Sequence, residues 1–177
     1  MDKDSKKIYG VYIPSVLNQK VLLSITEIGK NIKQNLENAI SERSEGKCIK
    51  EGFIKPGSIR VIKYSNGVVN NEYVEFQTTF ECMICNPVEN MDIDCKVKTI
   101  TKAGIHAEVI DDKGVIPVTI FVARDHHLKN TTFSSVTEND NIRTSVIGVR
   151  YELNDPFIVV IARLIKINTK KITIQND

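Results

Sequence analysis

The sequence predicts an α+β chain: an N-terminal antiparallel sheet with one main helix over residues 1–86, followed by a C-terminal five-stranded barrel over residues 87–177. Three observations carry this reading. One apolar stripe repeats at helical spacing near the front of the chain, one long run alternates strictly and stops at Asn86-Pro87, and five short strand-like runs follow. With 177 residues, 41% of them hydrophobic, the chain can bury the cores of one domain or two small ones.

Residues 8–25 open with Ile8-Tyr9-Gly10-Val11-Tyr12-Ile13, a turn expected at Pro14, and then Val21-Leu22-Leu23-Ser24-Ile25. Their β-branched content indicates strands or an extended arm. Ile28, Ile32, Leu36, Ala39 and Ile40 next fall on one helical face, and Gly46 stands where a C-terminal cap belongs. Lys30, Lys33, Gln34, Glu37 and Arg43 occupy the opposite face, so the helix should lie against a sheet.

From Gly46 to Cys85 the chain reads as β-structure broken at Pro56-Gly57 and Asn66-Gly67, the second pair being a strong hairpin signal. Beyond it Val74, Phe76, Thr78, Phe80, Cys82 and Ile84 alternate with Glu75, Gln77, Thr79, Glu81 and Met83, the pattern of a half-buried antiparallel strand. Pro87 lacks the ladder donor and restricts Asn86, which sets a domain boundary there. The five later runs are 91–101, 104–110, 115–123, 141–153 and 157–167. Tight turns separate them except for a longer polar stretch from Arg124 to Asp140, which is the strand order of a small Greek-key barrel of the OB type.

Charge narrows the functional classes. The formal net charge is +2, and the segments before and after residue 86 hold 12 basic with 10 acidic and 12 basic with 12 acidic residues. Neither is a basic arm, so any nucleic-acid contact must come from a local patch. The front of the chain is charged and no membrane-spanning apolar run occurs, which implies a soluble intracellular protein whose four cysteines are reduced thiols.

Cys82 and Cys85, with Cys95 and three histidines later, invite a zinc reading. Their odd spacing sends the first two thiols to opposite faces of a strand, so buried small hydrophobes are the better account and no metal is expected. Arg124-Asp125-His126-His127 is the densest polar cluster and closes the third barrel strand; a hydrogen-bonded loop end fits it better than a metal-dependent nuclease. No phosphate-cradling loop, nucleophile elbow or paired carboxylates occur, so no catalytic residue and no cofactor is assigned.

The informative cluster is basic. In the first barrel strand Ile93, Cys95, Val97 and Thr99 should point inward and Lys96 and Lys98 outward; in the second His106 and Glu108 come out. Lys96, Lys98, Lys102, His106, Arg124 and Arg150 are the candidates for tracking a single-stranded nucleic acid, since such barrels pair cations for phosphates with rings for bases. The alternative is a solvated sheet face partly neutralised by Glu108.

These residues also carry a resemblance. The run Asp94–Val109, with Gly104 opening the second strand, resembles the start of an S1-type RNA-binding OB domain. The run Ile142–Ile158 resembles the last two strands of the stalk subunit of multisubunit DNA-directed RNA polymerases, the family that comprises the seventh subunit of eukaryotic RNA polymerase II and its archaeal counterpart. Upstream, the helix, Gly46, a hairpin and Phe80–Pro87 follow the order of that family's tip domain. Thr101–Glu108, Ala123–His127 and Arg150–Asn154 look most like the versions of large nucleocytoplasmic DNA viruses. Two positions depart from the pattern: His106 replaces an aromatic residue, and Pro117 a histidine, which implies weaker base stacking.

The resemblance implies a non-catalytic subunit whose tip domain docks on the large polymerase core subunits at the clamp base and whose S1 domain contacts nascent single-stranded RNA. A small helical stalk partner belongs to the cellular family. Docking is expected around Pro56, Gly57, Asn66 and Gly67, because tight turns are exposed. The implied location is the virion and the host cytoplasm or nucleus for a viral protein and the nucleus otherwise, with no membrane. The rival reading is a free-standing S1 module acting on single-stranded RNA in translation or RNA decay.

Overall fold

A computed structural model of the chain describes residues 10–128 and 131–168. It divides into two units: the residues up to Asn86 together with Glu152–Pro156, and Pro87–Tyr151 together with the residues from Phe157 on.

In the first unit β1 (Tyr12–Ser24) leads through a 3₁₀ turn (Ile25–Glu27) to α1 (Ile32–Ser44), then β2 (Cys48–Ile49), β3 (Gly52–Ile54), β4 (Arg60–Tyr64), β5 (Val68–Asn70) and β6 (Tyr73–Cys85). β6 organises the sheet. β1 pairs antiparallel along its whole length on one side, and β3, β4 and β5 take successive stretches of its other edge. The alternation expected of β6 is present: Val74, Phe76, Phe80, Cys82 and Ile84 are buried with Val21 and Leu23 of β1 and Leu36 and Ile40 of α1. Ile28 precedes α1 but packs on the same core, and Gly46 follows the helix at φ +70°, the left-handed conformation that favours glycine.

Three local expectations fail for identifiable reasons. Pro14 does not turn the chain; it pairs with Met83 inside β1, where a missing N–H is tolerated because among the described residues β1 has only one neighbouring strand. Asn66-Gly67 is not a hairpin. β4 and β5 both pair with β6, and the chain reverses instead at Asn71-Glu72, where Asn71 takes φ +55°. Gly67 is needed for packing, since a Cβ there would strike the side chains of Val74 and Phe76. Glu37 leaves the solvent face and accepts the Val61 amide at 3.0 Å, while Glu45 accepts that of Ile59 at 3.1 Å. Those two carboxylates satisfy backbone donors on and beside the sheet's rim at β4.

Cys85 faces away from the α1 core, in a cross-strand row with Tyr12, Phe53 and Cys48, all of them buried. Residues 152–156 pair here: the Cys48 amide donates to Asp155 O, and the Asn154 amide to Cys48 O, each at 2.8 Å. Burial pushes the thiols of Cys48 and Cys82 up to about 11, and those of Cys85 and Cys95 up to about 12. All four are free and behave as small hydrophobes.

The second unit holds β7 (Asp92–Ile100), β8 (Gly104–Val109), β9 (Val118–Ala123), a 3₁₀ turn (Arg124–His127), the short α2 (Thr131–Ser134), β10 (Asn141–Arg150) and β11 (Ile158–Ile167). They close as β10-β11-β9-β8-β7, antiparallel except for the parallel β9–β11 pair. That order is consistent with the OB fold. Each of the five expected strands is present, with no end moved by more than three residues. Thr99 is the exception to the inward set. A bulge between Val97 and Thr99 inserts Lys98 out of register, so Thr99 falls on the outer face opposite His106. No helix among the described residues is long and apolar enough to cross a membrane.

Candidate nucleic-acid interface

Alternation along β8 sends Ile105 and Ala107 into the barrel and His106 and Glu108 out; along β9 it buries Val118, Ile120 and Val122 and turns out Thr119 and Phe121. The register sets His106 opposite Phe121, and their rings lie 4.9 Å apart at 45°. Gly104 makes this possible, because a Cβ there would meet the Val122 carbonyl and the Phe121 ring. Lys98, Thr99, Thr101, His106, Phe121 and Val159 line a groove of about 550 Å³. With Thr119 also on its wall, it offers two ring faces, three hydroxyls and an ammonium group, the combination with which single-strand sites stack bases and track phosphates.

The basic candidates sort unequally around it. Lys98 lines the groove and pairs at 2.5 Å with Glu108, and Lys96 is the cross-strand partner of Glu108 one step along β7. Lys102 is exposed in the β7–β8 turn. Arg150 is exposed and registers with Val159, a groove residue on the next strand. Arg124 is committed elsewhere: Nε donates to Lys102 O at 2.9 Å, Nη2 to Thr101 O at 3.3 Å, and the guanidinium sits 5.1 Å from the Phe133 ring centre. It holds the β7–β8 turn in place. Phe121 escaped the sequence reading although the alternation of β9 contains it, because its whole strand reads as apolar.

His127 is buried, with Nδ1 donating to Ala123 O and Nε2 accepting the Leu164 amide, each at 2.9 Å, and its ring stacks on Phe133. Since Nε2 accepts a backbone N–H, the proton sits on Nδ1, and neither nitrogen is open to a ligand. Among the described residues no group of three or more His, Cys, Asp and Glu side chains is arranged to hold a metal.

In the first unit Pro56-Gly57 forms a tight turn, Gly57 at φ +74° and the Ser58 amide donating to Lys55 O, with Pro56 in the position of a type II turn. Asn66 and Gly67 lie exposed in the break at the far end of β4. Large exposed apolar side chains gather instead around the true hairpin: Val68 is 65% exposed, Val69 70% and Tyr73 50%, with Leu22 and Ile25 alongside on and just beyond β1. The Ile25 amide fixes that corner by donating to Glu72 O at 3.1 Å.

No family model matches the chain. A protein of Acanthamoeba polyphaga mimivirus, provisionally named a DNA-directed RNA polymerase subunit, is 26% identical over 170 residues, a span of 90% of this chain and 85% of that protein. The chain is thus similar over most of its length to a protein that carries the provisional name of a viral RNA polymerase subunit. The similarity reaches into both sheet unit and barrel, since the aligned share exceeds either alone.

Proposed function

We propose that the chain is a non-catalytic stalk subunit of a viral DNA-directed RNA polymerase, docked on the core subunits through its first unit and touching emerging single-stranded RNA through its barrel. The homology supports the polymerase-subunit role. The observation that carries the finer reading is the His106–Phe121 ring pair in a groove edged by Lys98 on an OB-type barrel. Base–aromatic stacking contributes about 1–3 kcal/mol per base and tolerates any sequence, which suits a surface that every transcript crosses.

A near-neutral protein binds free RNA weakly, and a tethered one need not do better. Held beside an exit path, the groove sees its RNA at high effective concentration, so salt-sensitive contacts of low intrinsic affinity suffice. Affinity for the enzyme must then reside in the first unit, where the apolar corner of Leu22, Ile25, Val68, Val69 and Tyr73 offers the desolvation that tight turns alone lack. The exposed apolar side chains favour the Asn71-Glu72 hairpin as the docking surface, in addition to the turns at Pro56-Gly57 and Asn66-Gly67.

Tagged full-length chain purified from infected cells should bring down the large polymerase subunits in stoichiometric amount, read by mass spectrometry. Recovery with ribosomes or RNA-decay enzymes would favour the free-standing module instead.

A further inference from the structure

Glu108 is the one acidic side chain among the groove's lining residues, and it is well placed to interfere with an anionic ligand. Its side chain is only 16% exposed, whereas that of its partner Lys98 is 63% exposed. The bulge at Lys98 brings the ammonium diagonally across to Glu108 Oε1, and the same carboxylate registers directly opposite Lys96. One carboxylate therefore faces both lysines of β7, and it sits one residue pair from the His106–Phe121 rings.

We infer that Glu108 is a built-in attenuator of RNA binding, holding the Lys98 ammonium against the barrel wall so that a phosphate must displace it. The inference rests on the RNA reading above and adds the device that sets its strength. A phosphate arriving at Lys98 must break an ion pair and approach a fixed negative charge, and both penalties vanish if the carboxylate is neutral. The arrangement keeps the groove from retaining RNA once the tether no longer presents it. Lys98 remains close at hand, so contact is reversible and the transcript can slide.

The test uses the full chain and a short fluorescein-labelled poly-uridine RNA, with binding followed by anisotropy across a salt series. Glu108→Gln preserves shape and a hydrogen-bond acceptor for Lys98 while removing the charge. It should tighten binding by about fivefold, the equivalent of roughly 1 kcal/mol. The plot of log K against log salt should steepen by about 0.7, the value for one added phosphate contact on a single strand. Adding Lys98→Gln should erase both gains, since they pass through that ammonium. If Glu108→Gln leaves affinity and slope unchanged while Phe121→Ala weakens binding, the attenuator is refuted and the RNA reading stands. If Phe121→Ala and the lysine change also leave binding unchanged, the RNA reading itself fails and the inference with it.

Discussion

The two units present opposite chemistry to their surroundings. At the hairpin end of the sheet several large apolar side chains are exposed, whereas the barrel's groove has a single ring pair set among hydroxyls and an ion pair. An apolar corner gains its energy by shedding water and suits a permanent seat; a ring pair beside a screened lysine gives up its ligand readily and suits passing traffic. On the function proposed above, similar alternating strands would serve durable attachment in one place and transient contact in another, and the difference lies in which outward positions each strand fills.

The strongest way to break this comparison is to remove the groove by collapsing its frame. Gly104→Val would drive a branched side chain into the Val122 carbonyl and the Phe121 ring; a loss of about 3 kcal/mol or more is expected, seen as a lowered unfolding midpoint for the barrel. At the other pole, Val69→Asp with Tyr73→Asp should abolish co-purification with polymerase subunits while circular dichroism stays unchanged, because both side chains are already half-exposed or more. Undiminished recovery would move the docking surface elsewhere.

Within the groove, Phe121→Ala should weaken RNA binding by about 1–3 kcal/mol, with Lys98→Glu and Lys102→Glu together lowering crosslinking further by charge reversal. Neither change should alter recovery with the polymerase, which would separate the two surfaces cleanly. The smallest effect concerns the β7–β10 seam. Arg143 donates to both oxygens of Asp94, at 2.8 and 2.7 Å, and this pairing holds the Asp94 carboxyl below its usual range. A depressed folded value means the stabilisation is complete above the ordinary carboxylate range and fades as the pH falls through the folded value. The pair is largely exposed, so the expected effect is slight. Asp94→Asn should flatten the acid limb of a midpoint-against-pH curve.

Local periodicity carried much of this architecture. The alternation of β6, the apolar stripe of α1 and the five barrel strands are written in residues that act within a few positions of one another. What escaped depends on partners distant in sequence. Pro14 is acceptable because β1 pairs on one side alone among the described residues, and Asn66-Gly67 fails as a turn only because β6 claims both flanking strands. Glu37 and Arg124 look like solvent-facing charges until the backbone groups they bind are known. The groove was half legible: His106 and Lys98 were visible, but Thr99 joined the outer face through a bulge and Phe121 was hidden in a run that reads as uniformly apolar.

Glu152–Pro156 has a bearing on how the protein is made. The backbone groups of Cys48 that meet Asn154 and Asp155 find these partners outside the first 86 residues. A ribosome delivers residues in order, so the leading sheet must wait, with one bare seam, until most of the barrel has left the exit tunnel. Cutting the gene at Asn86 would yield a front half permanently short of its last five residues.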